Sequence, residues 1–145
     1  MRMVIAVCLF FMSAISAQAA TFYVTKTGSD ANDCTAAQNS STPKLTLISV
    51  LGCESAGDTI MIGNGTYTDT SIASLIASGA STSARTTLQA MNRRQAIYKP
   101  STSSTGGHVL LFSAKTNIAL VGLVIDGADL TFDTIKLQSS STGML

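Results

Sequence analysis

Short apolar runs recur along this chain and are separated by turns rich in glycine, serine and threonine. The clearest runs lie at residues 59–62, 86–90, 109–112 and 118–125. The last run is almost wholly apolar, is interrupted by Gly122 and is followed by Asp126-Gly127. Such runs are typical of strands that are buried on both faces in parallel arrays. Their recurrence predicts a solenoid, in which each coil buries its apolar side chains against neighbouring coils.

Alternation of apolar and polar residues predicts further strands at both ends of this series. Residues 21–25 alternate in this way and predict a first strand. Near the C-terminus the same kind of alternation predicts another half-buried strand, with Leu130, Phe132, Ile135 and Leu137 as its apolar members. Residues 69–83 are rich in serine and alanine, and we expect a loop or a short helix there.

One helix is predicted before the second strand, over about residues 43–51. Thr42 suits the N-cap position and Pro43 the first helical position. Gly52 suits the C-terminal cap. The apolar positions recur at helical spacing: Leu45, Ile48 and Leu51. We expect this helix to cover the first end of the stacked strands, whose backbone groups are otherwise unpaired.

The first 19 residues have the pattern of an export signal. Arg2 provides a positive start, residues 4–15 are apolar, and Ala17-Gln18-Ala19 matches a small-residue cleavage site. The apolar segment is about a dozen residues, whereas a membrane-spanning helix needs about 20. This favours a cleaved signal over a membrane anchor. We therefore expect a mature domain over residues 20–145 that is secreted, either extracellular or periplasmic, with no membrane attachment after cleavage.

Cysteine and charge usage narrow the class of protein. Cys34 and Cys53 remain after removal of the signal, and a pair of cysteines in an exported chain predicts a disulfide. Charged residues make up 12% of the chain, which has nine basic and eight acidic residues. Because the mature chain is nearly neutral and its arginines are not interleaved with aromatic residues, we expect no nucleic-acid partner. We also expect a monomer.

Three segments resemble the N-terminal part of right-handed parallel β-helix proteins of the pectin-lyase-like group. They are residues 22–30, residues 57–67 with Gly-Asp-Thr followed by Gly-Thr-Tyr, and residues 118–127. The resemblance implies an all-β, right-handed parallel β-helix with a short N-terminal capping helix. It also implies a polysaccharide lyase or hydrolase whose catalytic residues lie on central coils. Only four or five coils fit in this chain and no cap is visible in residues 139–145, so we expect a C-terminally truncated, non-catalytic N-terminal section.

Two charged clusters are the candidates for chemistry on a uronate polymer. Such a lyase needs a base and a cation, either Ca²⁺ or a basic side chain, to neutralise the sugar carboxylate. The basic cluster contains Arg93, Arg94 and Lys99, and the acidic cluster contains Asp126, Asp129 and Asp133. The alternative, which we favour, is that these residues cover turns. We expect no cofactor or metal in this section, although Ca²⁺ would suit a full-length lyase.

Two other functional classes stay open at this point. A non-catalytic β-helix could act as a surface or adhesin-like binding module, and a β-sandwich is disfavoured by the nearly continuous apolar runs. His108 is the only histidine in the sequence, which argues against a zinc site. Asn39 and Asn64 match the N-glycosylation pattern, but such matches are common by chance in a chain rich in serine and threonine.

Overall fold

A computed structural model describes residues 18–101, 107–127 and 133–145. Most of the predicted export signal therefore lies outside the described residues, as do Asp129, Leu130 and Phe132. In the described part of the chain, no helix has both the length and the apolar character needed to cross a lipid bilayer.

Within these ranges the chain forms nine short strands and three short helical segments. The strands are β1 Thr21–Val24, β2 Thr59–Ile62, β3 Gly65–Tyr67, β4 Thr86–Ala90, β5 Ala96–Tyr98, β6 Leu110–Ser113, β7 Ile118–Val121, β8 Val124–Ile125 and β9 Ile135–Gln138. The helical segments are a 3₁₀ turn at Ala36–Gln38, α1 Leu47–Leu51 and α2 Ile72–Leu75. Every strand pairing described is parallel, so the predicted all-β class with parallel strands is confirmed.

The strands form three parallel sheets, in the orders β1-β2-β4-β7, β3-β5-β8 and β6-β9. In the first sheet equivalent positions stack in register, so that side chains of the same orientation form rows across the strands. One row points inward and consists of Phe22, Ile60, Leu88 and Leu120. The neighbouring row points outward and consists of Tyr23, Met61, Gln89 and Val121. Burial of the inward rows is the main stabilising contribution in such an arrangement.

The predicted helix begins later than its sequence pattern indicated. Its N-cap is Thr46, whose side chain accepts a hydrogen bond from the backbone N–H of Ser49 at 3.3 Å. Pro43 lies outside the helix, and Lys44 forms a bridge with the first strand, where its N–H donates to the carbonyl of Tyr23 at 2.9 Å. Pairing with β1 thus outweighs the local preference of Thr-Pro for a helix start. The predicted start at residue 43 was wrong, whereas the end at residue 51 is confirmed.

The face of the helix also differs from the prediction. Ile48 is 47% exposed, and the buried side chains are Leu47, Val50 and Leu51. At the edge of β1, Lys44 forms a parallel bridge with Val24. The edge is thus covered as predicted, but by the backbone of residues that precede the helix.

The apolar run at residues 118–125 is two strands instead of one. Gly122 has φ +70°, a left-handed conformation that suits glycine, and it turns the chain between β7 and β8. The two strands belong to different sheets. Burial on both faces is also incomplete, since Val121 is 44% exposed. The prediction of a single fully buried strand was wrong because it ignored this turn.

The predicted disulfide is present. Cys34 and Cys53 are bonded, with their Cα atoms 5.3 Å apart, and the bridge connects the segment before the 3₁₀ turn to the end of α1. A structural disulfide is consistent with an oxidising, extracellular compartment. Of the two alternatives expected within residues 69–83, a loop or a short helix, the structure forms a short helix, α2.

Candidate functional site

The turns that follow β1, β2 and β4 stack on one another at one corner of the fold. The amides of Gly63 and Met91 donate to the carbonyls of Val24 and Ile62, both at 2.8 Å, which holds the successive turns in register. The side-chain amide of Asn92 donates to Oδ1 of Asn64 at 3.0 Å. Polar side chains from turns that are far apart in the sequence are thereby brought next to each other.

These turns line an open groove of about 550 Å³, which we call the corner groove. It is formed by Thr25, Lys26, Thr27, Gly63, Asn64, Met91 and Asn92. Hydroxyl, amide and ammonium groups form part of this lining, and all of them can bond to oxygen-rich ligands.

Lys26 is held at this corner by two contacts. Its ammonium lies 5.0 Å from the centroid of the Tyr67 ring, within the range of a cation–π interaction. Its stem packs against Gly65, where an added Cβ would come within 2.6 Å of the Lys26 Cγ. The lysine charge is therefore presented at a defined position of the groove.

A second open groove of about 1080 Å³ adjoins the first and shares Met91 with it. Arg93 lines this second groove and packs over Gly122, in the turn between β7 and β8. Arg94 follows with φ 64°, and its backbone N–H donates to the carbonyl of Gly122 at 2.6 Å. No aspartate or glutamate occurs among the described residues that line the two grooves.

The third member of the predicted basic cluster lies at the opposite end of β5. Lys99 Nζ lies 3.4 Å from Asp126 Oδ2, and the two side chains are 39% and 32% exposed. They meet because β5 pairs with β8, which places Tyr98 beside Ile125 and the next residues beside each other. Of the two predicted clusters, the structure thus brings together Lys99 and Asp126.

The remaining predicted residues do not join this pair. Arg93 and Arg94 precede β5 and border the grooves. Asp133 lies near His108, with 3.7 Å between its Oδ2 and the histidine Nδ1. Asp129 lies outside the described residues.

One titratable residue was missed by the sequence analysis. Glu54 is the only glutamate in the sequence, and its Oε1 accepts a hydrogen bond from the backbone N–H of Ala77 at 2.6 Å. Burial raises the pKa of its carboxyl to about 7, Asp58 adds to this increase, and the Ala77 amide and Lys115 oppose it. No sequence signal marked it, because its burial depends on α2 and on residues more than 20 positions away.

Two tyrosines and the possible metal-ligating side chains complete the description of the titratable groups. Burial raises the pKa of Tyr67 and of Tyr98 to about 12, so both phenols remain protonated at neutral pH. Among the residues that the structure describes, no group of three or more histidine, cysteine, aspartate or glutamate side chains is arranged to hold a metal ion.

Comparison of the chain with protein-family models, with curated proteins and with solved structures gave no match.

Proposed function

We propose that this chain is the N-terminal section of an exported right-handed parallel β-helix protein that acts on or binds a polysaccharide. The export-signal pattern, the disulfide and three parallel sheets with stacked registers support this proposal. Successive coils of such a solenoid contain parallel strands that belong, in turn along the chain, to different sheets. Because a fold alone does not establish a function, the choice of ligand depends on the corner of the stack.

The ligand class that fits this corner best is an acidic polysaccharide. The single observation that carries this assignment is the placement of Lys26 and Arg93 along two adjoining open grooves. Uronate carboxylates would bond to these cations, and sugar hydroxyls would bond to the amide pair of Asn64 and Asn92. Stacked turns repeat at about 4.7–4.9 Å, so an extended polymer along the axis would meet similar polar groups on successive coils.

We propose that the described residues bind the polymer without cleaving it. Lys26 contacts an aromatic ring and the grooves contain no carboxylate side chain among their described lining residues. A lyase also needs a base placed beside the sugar ring. A full-length lyase would carry that base on further coils, whereas an adhesin-like module would use the same grooves for binding alone.

The experiment is a binding titration of the exported protein with polygalacturonate and with neutral dextran. We expect binding to polygalacturonate that weakens with added salt, and much weaker binding to dextran. Lys26→Gln and Arg93→Gln should each weaken binding by about tenfold, the value of one charge-assisted hydrogen bond. Lys136→Gln, which removes the same charge from β9 in another sheet, is the matched control and should bind like the unaltered protein.

Absorbance of unsaturated products separates the two functional classes. Binding with no product, with or without Ca²⁺, supports the binding module, and product formation supports the lyase. If Lys26→Gln and Arg93→Gln bind polygalacturonate as tightly as the unaltered protein and the Lys136→Gln control, the grooves are not the binding site.

A further inference from the structure

Asp58 is a buried carboxylate at the start of the second strand. It is only 6% exposed, and each of its oxygens accepts one backbone hydrogen bond. Oδ1 accepts from the N–H of Ala20 and Oδ2 from the N–H of Ser55, both at 2.7 Å. No ion pair to Asp58 is found within the described ranges. Burying a carboxylate without an opposite charge reduces the stability of a fold, so a positively charged group beside Asp58 would be favourable.

Ala20, which donates to Asp58, is also the first residue after the predicted cleavage site at Ala17-Gln18-Ala19. Its carbonyl accepts from the N–H of Thr59 at 2.9 Å, so its backbone is fixed against the start of β2. The nitrogen that cleavage would release as a new N-terminus therefore already lies at hydrogen-bond distance from a buried carboxylate.

We propose that removal of residues 1–19 generates an α-ammonium group at Ala20 that forms an ion pair with the Asp58 carboxylate and fastens the first coil to the second. The proposal depends on the export that is part of the proposed function, but not on any polysaccharide. A signal peptidase hydrolyses the Ala19–Ala20 bond with one water molecule. Ala19 leaves as a carboxylate, and the proton that it loses is taken up by the amine of Ala20.

The ion pair would connect three strands. Asp58 directly precedes β2, and its own carbonyl accepts from the N–H of Thr87 on β4 at 2.9 Å. Ala20 directly precedes β1. In the unprocessed chain the same nitrogen is an uncharged amide that donates one hydrogen bond to the carboxylate, whereas an ammonium adds the attraction between two opposite charges. Processing thus strengthens an existing contact without moving the backbone.

The charged neighbours of this position are few among the described residues. Glu54 interacts electrostatically with Asp58. Arg85 lines the same surface groove as Ala19 and Gly57, but its guanidinium donates to the carbonyls of Thr82 and Gly143. An ammonium at Ala20 therefore has Asp58 as its nearest described carboxylate partner.

The test uses the protein purified after export. N-terminal sequencing should begin at Ala20, and competitive chemical labelling should show an α-amino pKa at least one unit above the ordinary value of about 7.7–8.0. Asp58→Asn should return that pKa to the ordinary range, whereas Asp33→Asn, a change at an exposed carboxylate of the first loop, should leave it raised.

The wild-type measurement needs no variant, so the proposal can be judged even if Asp58→Asn does not fold. An N-terminus at another residue, or an ordinary α-amino pKa in the wild type, would overturn the proposal. A pKa that stays raised in a folded Asp58→Asn protein would do the same. None of these results depends on polysaccharide binding, so the two proposals fail separately.

Discussion

Replacing Glu54 by glutamine should change how the stability of the fold depends on pH. The carboxyl accepts the N–H of Ala77 and is largely shielded from water, and among the described residues its second oxygen has no hydrogen-bond partner. Glutamine has nearly the same shape and can keep the bond to Ala77. The substitution therefore removes the charge while it preserves the packing.

The size of the effect follows from the pKa of Glu54. Its ordinary value of 4.5 is raised to about 7 in the folded chain, first by burial and then by the nearby Asp58. Since the folded chain binds this proton more tightly than the unfolded chain, its contribution to stability is fully present below about pH 4.5. That contribution is lost as the pH rises through about 7. Each pKa unit corresponds to about 1.4 kcal/mol, which gives an upper value of about 3 kcal/mol.

Partial solvent access reduces this value, so we expect a change of about 1–3 kcal/mol. Urea unfolding between pH 4.5 and pH 8 measures it directly. The free energy of unfolding of the wild type should decrease across this interval. That of Glu54→Gln should decrease less, and the difference between the two decreases is the expected change. Above pH 7 the variant should be the more stable protein, whereas near pH 4.5 the two should agree.

Two features of the design isolate Glu54. All other side chains are the same in the two proteins, so their contributions cancel in the difference between the two curves. Asp33→Asn, which changes an exposed carboxylate in the first loop, should follow the wild-type curve. Parallel curves for the wild type and Glu54→Gln would refute the reasoning, because they would show that Glu54 has the same affinity for protons in the folded and unfolded chains.

Two further predictions concern the stability of the stack. Replacing Cys34 and Cys53 together by serine should cost about 3 kcal/mol in urea unfolding, because the bridge closes a loop with a sequence separation of 19 residues; a loss below about 1 kcal/mol would contradict this. On β4, Leu88→Ala should cost about 2–5 kcal/mol, since Leu88 is 1% exposed and belongs to the inward row. Gln89→Ala on the outward row should change the unfolding free energy by less than about 1 kcal/mol, and equal effects at the two positions would refute the assigned orientation of the strand.

The strands could be predicted from the sequence because their signals are local. An apolar run between turn residues is enough to locate β2 and β4, and alternation is enough to locate β1. The helix start could not be predicted, because Lys44 pairs with a strand about 20 residues earlier in the chain. The division of residues 118–125 into two strands could not be predicted either, because a glycine such as Gly122 can lie in a turn or inside a strand.

The candidate site was less predictable because it depends on contacts between segments that are far apart in the sequence. Lys99 and Asp126 were both named from their clusters, but their contact needs the register of β5 with β8. Lys26 was not named at all. It is 67 positions from Arg93, and only the stacking of successive turns places the two along adjoining grooves. Sequence clusters record neighbours along the chain, whereas the parallel pairing of strands brings together residues that are far apart in the sequence.

Glu54 and Asp58 are both buried carboxyl groups in the segment before β2, and the charge of Asp58 affects the pKa of Glu54. The stability prediction for Glu54 is therefore coupled to the proposed ion pair of Asp58. Asp58 accepts hydrogen bonds from two backbone amides, and in the processed chain it would also face the ammonium of Ala20. Glu54 accepts one amide, and the Asp58 charge raises its pKa. An ammonium at Ala20 would offset part of the Asp58 charge and so lower the pKa of Glu54. The pH at which the processed protein loses stability should therefore be lower than that of a chain whose Ala20 nitrogen is still an amide.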